Sequence, residues 1–181
     1  QQVPPRNLQR PEVLAEFGQP LQELPAGYYC QTAGLTVSTG TGKCLEGFYC
    51  PGTSPQISPA QESQKCGVGA YCPLGSIAEI PCPAGTYNLN EYQKECKPCP
   101  AGYYCLLGDL SSADKATRLT ANAPKLCKAG HKCPGSTSNE NGDPCDTGTY
   151  QPETGRTKCL ACPPGYACET TGMDAVTNTE F

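Results

Sequence analysis

Thiols carry nearly all the chemistry this sequence could perform. Fifteen cysteines lie in 181 residues, a density close to that of disulfide scaffolds. Two pairs, Cys96/Cys99 and Cys159/Cys162, have the two-residue gap shared by zinc ligands, redox dithiols and disulfide frameworks. Zinc would require a second such pair at ribbon distance, and neither pair has one. A thioredoxin-type centre needs its pair at a helix N-terminus beside a strand. Here the pairs sit in KECKPCPAG and TKCLACPPG, which are Gly/Pro loops. Nucleophilic catalysis needs a base beside its thiol or hydroxyl. The one histidine, His131, stands in CKAGHKC where most other copies carry Phe or Tyr, and reads as a packing residue. The acidic turn Asn139–Asp143 (NENGD) lacks the ligand spacing of a calcium loop. The sequence therefore predicts no catalytic residue, no metal, no cofactor and no enzyme, and leaves the cysteines to hold the chain together.

Composition agrees with that assignment. Leu, Ile, Val and Phe together number 25 of 181, and there is no Trp. Such a chain cannot bury enough apolar surface to offset the entropy of ordering it. Its net charge of -4 is too small to mark a charge-swollen disordered segment. Disulfides persist in oxidising compartments, so the expected location is extracellular or at the cell surface. The pI near 5.0 and scattered Lys and Arg argue against nucleic acid. No apolar run approaches the roughly 18 residues of a membrane span, so no direct membrane insertion is expected. The chain starts at Gln1 and its one methionine is Met173, so it reads as a processed product or a fragment.

The cysteines form repeats. Cys66, Cys72, Cys82, Cys96, Cys99 and Cys105 have gaps of 5, 9, 13, 2 and 5 residues. Cys127, Cys133, Cys145, Cys159, Cys162 and Cys168 have gaps of 5, 11, 13, 2 and 5. Residues 24–65 hold a degenerate copy with Cys30, Cys44 and Cys50, where Leu24 occupies a cysteine position and makes the total odd. The expected organisation is a Pro-rich arm (1–23) with one helical turn at Glu12–Phe17, the degenerate repeat (24–65), a repeat (66–105), a linker (106–126), a repeat (127–168) and a tail (169–181). In the linker, Ser111 or Ser112 would cap a short helix over Ala113–Leu119, ended before Pro124.

The smallest unit is C-x-x-G-x-x-C, with glycine at 27, 47, 69, 102, 130 and 165. A glycine fixed between two bridged residues predicts positive φ or a close approach of backbones. Nine of the ten tyrosines follow such glycines, or those of the longer GTY copies, within two residues. They are expected to lie over the disulfides with their hydroxyls at the water edge.

The stretch CPAGTYNLNEYQKECKPCPAGYYC resembles the ephrin-receptor-like cysteine-rich repeat, which is related in style to TNF-receptor-like modules. The resemblance extends over roughly 24–168. It implies small, loop-rich extracellular modules arrayed end to end, with no catalytic residue. It also implies the bridges Cys82–Cys96 and Cys145–Cys159. Two schemes remain open for the other cysteines. In the local one, Cys44–Cys50, Cys66–Cys72, Cys99–Cys105, Cys127–Cys133 and Cys162–Cys168 close on themselves, and Cys30 stays free or bridges to another chain. In the interlocked one, Cys99 pairs with Cys127 and Cys105 with Cys133. The local scheme is the more economical, because it explains the odd cysteine by the missing partner at 24. Thr53, Ser54 and Ser58, in a Ser/Thr/Pro cluster, are candidate O-glycosylation sites.

The expected fold is thus a small disulfide-rich one: an elongated tandem array of irregular β and turn modules without a single central core. Two functions fit it. One is a non-enzymatic structural component of an extracellular filament, coat or flagellar surface appendage. The other is a recognition module of a receptor or adhesion ectodomain. The expected partners are other copies of the chain or other surface proteins.

Overall fold

The computed structural model describes residues 26–29, 42–52 and 64–178. The Pro-rich arm with Glu12–Phe17, Cys30 and the candidate sugar sites Thr53, Ser54 and Ser58 lie outside the described residues.

One hairpin recurs along the chain. Each turn glycine leads into a two-residue strand, which pairs antiparallel with the two residues before the next unit. In this way β1 (Tyr28–Tyr29) pairs with β2 (Gly42–Lys43) and β3 (Ala70–Tyr71) with β4 (Ile80–Pro81). β5 (Thr86–Tyr87) pairs with β6 (Lys97–Pro98), and β7 (Tyr103–Tyr104) with β8 (Lys125–Leu126). β9 (His131–Lys132) pairs with β10 (Asp143–Pro144), and β11 (Thr149–Tyr150) with β12 (Leu160–Ala161). The last pair is β13 (Tyr166–Ala167) with β14 (Thr177–Asn178). A single bridge, Phe48 to Lys65, holds the equivalent place between β2 and β3.

An isolated two-stranded ribbon is marginal in water, so the bonds between units matter more than those within them. The carbonyl of each turn glycine accepts from the first cysteine N–H of the next unit, as in Cys66 to Gly47 (2.9 Å) and Cys99 to Gly85 (2.8 Å). The glycine N–H donates further into that unit, as in Gly47 to Cys72 and Gly102 to Cys133. The next loop then reaches back, as in Gly75 N–H to the Cys44 carbonyl and Gly172 N–H to the Cys145 carbonyl. Backbone polar groups are thereby satisfied between neighbours rather than in one large sheet.

The bridges are Cys44–Cys50, Cys66–Cys72, Cys82–Cys96, Cys99–Cys105, Cys127–Cys133, Cys145–Cys159 and Cys162–Cys168, with Cα separations of 5.7–6.3 Å. Each CxxC therefore splits its two sulfurs between different bridges and forms no redox dithiol. Among the described residues the largest fully buried side chains are Val68 and cysteines, so sulfur takes the place of an aliphatic core. Tyr104 packs with Cys127 and Cys133, and Tyr49 against Cys66 and Cys72. In both cases the ring covers the bridge of the following unit.

In the two units that start at Cys82 and Cys145, the place of the second cysteine goes to a buried amide. Gly69 donates to the Asn88 carbonyl, and Gly130 to that of Gln151. The Asn88 side chain donates to Ala70 O (2.6 Å), and that of Gln151 to Lys158 O (2.7 Å). A hydrogen-bonded amide is tolerated there where a bare one would be costly to bury.

Two sequence expectations need correction. The helix α1 spans Lys115–Asn122 rather than 113–119, and its N-cap is Asp114 rather than Ser111 or Ser112. The Asp114 carboxylate accepts from Thr117 N–H (2.8 Å), and Ser112 instead accepts from Asp114 N–H. A carboxylate satisfies the cap and also favours the positive end of the helix dipole. The second correction concerns the tail, because residues 169–178 close the hairpin of β13 and β14.

The Thr117 backbone and then its hydroxyl hold the Asp114 carboxyl below the usual carboxylate range. A depressed carboxyl supports the folded form above its unfolded pKa and loses that support as pH falls through the folded value. We expect the protection factor of the Thr117 amide, relative to its unfolded exchange rate at the same pH, to fall on acidification into that range, and to lose this pH dependence in Asp114→Ala.

Candidate recognition surface

The helix sits in the loop between β7 and β8 and docks on the unit of Cys66 and Cys72. Two residues one turn apart on one helix face make the contact. The Arg118 Nε donates to Val68 O (2.8 Å), and its Nη1 pairs with Glu79 Oε2 (3.1 Å). Arg118 is 8% exposed. Glu79 Oε1 also accepts from Gly67 N–H (2.6 Å), so the pair is tied into the backbone of the unit below. Asn122 exchanges bonds with Asp109, accepting its N–H (2.6 Å) and donating to its carbonyl (3.0 Å). The side chain of Asn122 fills the space that a Cβ on Gly69 would need, and Arg118 crowds Gly67 likewise (2.9 Å). Glycine at 67 and 69 is what lets the helix lie down.

Removing one partner of a fully buried ion pair leaves the other uncompensated, at about 3–5 kcal/mol, whereas removing both can be near neutral. Glu79 keeps some contact with water, so Arg118→Met is expected to strip α1 of hydrogen-exchange protection and destabilise this region by less than that, at most about 3 kcal/mol. Adding Glu79→Met should restore much of the loss. Unchanged exchange in Arg118→Met would show that the pair does not pin the helix.

Beside the pinned helix runs a groove of about 450 Å³, lined among others by Tyr49, Lys65, Glu91, Leu110, Ser111 and Lys115. Lys65 and Lys115 both reach Glu91, at 3.4 and 3.5 Å. The groove thus mixes two apolar side chains, Tyr49 and Leu110, with paired charges and serines. Hydrogen bonds from Ser111 hold the nearby Asp109 carboxyl below its ordinary range, with a smaller contribution from the Arg118 charge. Sequence reading marked a helix here but missed Arg118, Asn122 and Glu79. The available signal was an arginine and an asparagine four residues apart in the one long insert free of cysteines.

The other candidates fall elsewhere. His131 is half-buried in β9, with Nδ1 3.1 Å from Ala129 O. Asn139 donates to the Asp143 carboxylate across a turn in which Asn141 has φ 69°. Among the described residues no group of three or more His, Cys, Asp or Glu could hold a metal, and no helix is long and apolar enough to cross a membrane.

A chain of bridged C-x-x-G hairpins, each stacked on the next, is the architecture of a disulfide-rich array of small modules. Residues 135–178 match the family model described as tyrosine-protein kinase ephrin type A/B receptor-like, so this segment is similar to that cysteine-rich module. The chain is also similar to a human "Signal peptide, CUB and EGF-like domain-containing protein 2", with 30% identity over 70% of this chain and 13% of that protein. The mouse protein of the same name shows 32% identity over 70% of this chain and 14% of its own length. A Penicillium crustosum "ABC-type transporter claG" shows 34% identity over 26% of this chain and 10% of that protein. The chain thus spans about an eighth of the length of the curated animal relatives. It is an extracellular, disulfide-rich array of small modules.

Proposed function

We propose that the chain is a non-enzymatic recognition segment of an extracellular receptor or adhesion protein, and that the groove beside α1 takes a side chain or loop of another surface protein. The observation that carries this reading is the departure at 106–126. Elsewhere the described loops follow the repeat, whereas here a helix is pinned by a partly buried ion pair and opens a groove lined by both apolar and charged side chains. Protein-binding surfaces are likewise mixed, being as a whole about as apolar as the rest of a protein's surface. Of the two readings of the sequence, the comparisons back this one over the filament or coat component.

Binding of the labelled chain to intact animal cells tests it. Saturable binding that Leu110→Asp with Lys115→Glu weakens about tenfold or more supports the groove, since central contacts carry most of an interface's energy. Leu110 also packs against Cys66, Ala70 and Cys72, so unchanged exchange of the Cys72 amide in the variant is the control for folding. Open-ended polymerisation without saturable cell binding would instead favour the filament reading.

A further inference from the structure

The turn Asn139–Asp143 lays the one Asn-Gly pair of the sequence against a disulfide. The fold asks for both residues. The Gly142 N–H donates to the Asn139 carbonyl (3.1 Å), which closes a tight turn. Its third residue, Asn141, has φ 69°, and asparagine is among the few residues with a side chain that tolerate this region. At 142 only glycine fits. A Cβ there would come 2.5 Å from Cys133 Sγ, 3.2 Å from Cys127 Sγ and 3.1 Å from Lys132 O. Gly142 is buried on that bridge, whereas Asn141 is half-buried and keeps contact with water.

This pair has a chemistry of its own. An asparagine side-chain amide is open to attack by the backbone nitrogen of the next residue, and glycine hinders that attack least because it has no Cβ. The Gly142 nitrogen bonds to Asn141 Cγ, and its proton departs with the side-chain NH2 as ammonia. The product is a five-membered succinimide. Water then opens one of its two carbonyls. One opening leaves aspartate at 141. The other leaves isoaspartate, in which the backbone runs through the side-chain carboxyl and gains a methylene. Only water is consumed.

Ring closure requires the peptide plane between 141 and 142 to turn, and both edges of that plane are held. Its N–H is the donor to Asn139 O, and its C=O accepts from Lys128 N–H (3.0 Å). Lys128 follows Cys127 directly, so the bridged unit itself sets the clamp. Pro83, Pro100 and Pro163 occupy the equivalent place in three other copies and have no N–H to give.

We propose that Asn141 is a site of spontaneous, irreversible self-modification to aspartate and isoaspartate by way of Gly142, held off by the Lys128 clamp over the Cys127–Cys133 bridge. The turn thereby keeps a covalent record of any opening of this unit. The extra methylene of isoaspartate has no room above Cys133 Sγ, so a converted turn does not close again. No residue of the groove takes part, and the inference is independent of the recognition reading.

The test holds the intact chain, Lys128→Pro, and the double variant Cys127→Ser with Cys133→Ser in neutral buffer at body temperature. Peptide mapping reads the mass gain of OH over NH2 at residue 141, and an isoaspartyl methyltransferase labels the isoaspartate. Lys128→Pro keeps the bridge and should speed conversion about tenfold or more, because the reaction proceeds from the locally opened turn. Protection of the Gly130 amide, which donates to Gln151 O, checks that the unit still stacks. Loss of the bridge should speed conversion at least as much, and adding Gly142→Ala should slow it again. Removing the remote Cys44–Cys50 bridge should leave the rate unchanged. Equal rates in the intact chain, Lys128→Pro and the bridge-free variant would overturn the clamp. Conversion in the bridge-free variant no faster at Asn141 than at Asn139 would overturn the site.

Discussion

Full reduction of the disulfides is expected to unfold the whole described array, with no repeat surviving as a folded fragment. In the chain-entropy account each short bridge contributes roughly 2–3 kcal/mol. Seven of them together exceed the net stability of about 5–15 kcal/mol typical of a folded domain. Little else could take over. Among the described residues Val68 is the one large aliphatic side chain fully buried, and each ribbon has two strands of two residues. Loss of the bridges also removes the surface on which Tyr49 and Tyr104 pack. Hydrogen exchange under a phosphine reductant reads the result, and the amides of Gly47, Gly102 and Gly148 should all lose protection together. A chain that keeps these amides protected with all of its thiols titratable would refute sulfur as the source of order.

Gly102→Ala is expected to be far more damaging than Gly148→Ala, although the two glycines occupy the same place in the repeat. Their φ angles are 85° and 81°, so both substitutions carry the same left-handed backbone penalty of about 1–2 kcal/mol. They differ in what the new methyl meets. At 102 it would lie 2.5 Å from Gly155 O and 3.2 Å from Gly155 C, and at 148 it meets nothing within 4 Å. A backbone carbonyl cannot rotate away as a side chain does. The loop at Gly155 must move and lose its bond to the Cys127 carbonyl. Overpacking of this kind adds about 1–3 kcal/mol. Denaturant midpoints of the two variants decide the matter, and equal shifts would mean that the stacking contact carries no weight.

These expectations show where sequence reading stops. The repeat period, the extracellular setting and the absence of a greasy core were legible because each depends on composition or on spacings of a few residues. The turn glycines were legible for the same reason, since positive φ is a local demand. Cys30, Thr53, Ser54 and Ser58 stay at that level, outside the described residues. The helix was half legible. Its presence followed from the insert, but its cap moved from serine to Asp114, whose carboxylate both accepts from Thr117 N–H and favours the helix dipole.

The amino-acid sequence by itself determined that this protein is a string of sulfur-stapled turns, because cysteines six residues apart around a glycine leave the chain few other ways to close. Only the tertiary structure decided which of two bridge schemes closes, which glycines are covered, and that Arg118 meets Glu79 across 39 residues of chain. The physical reason is that these contacts join different units. Their energy depends on how one hairpin is set against the next, and no local pattern of residue types records that placement.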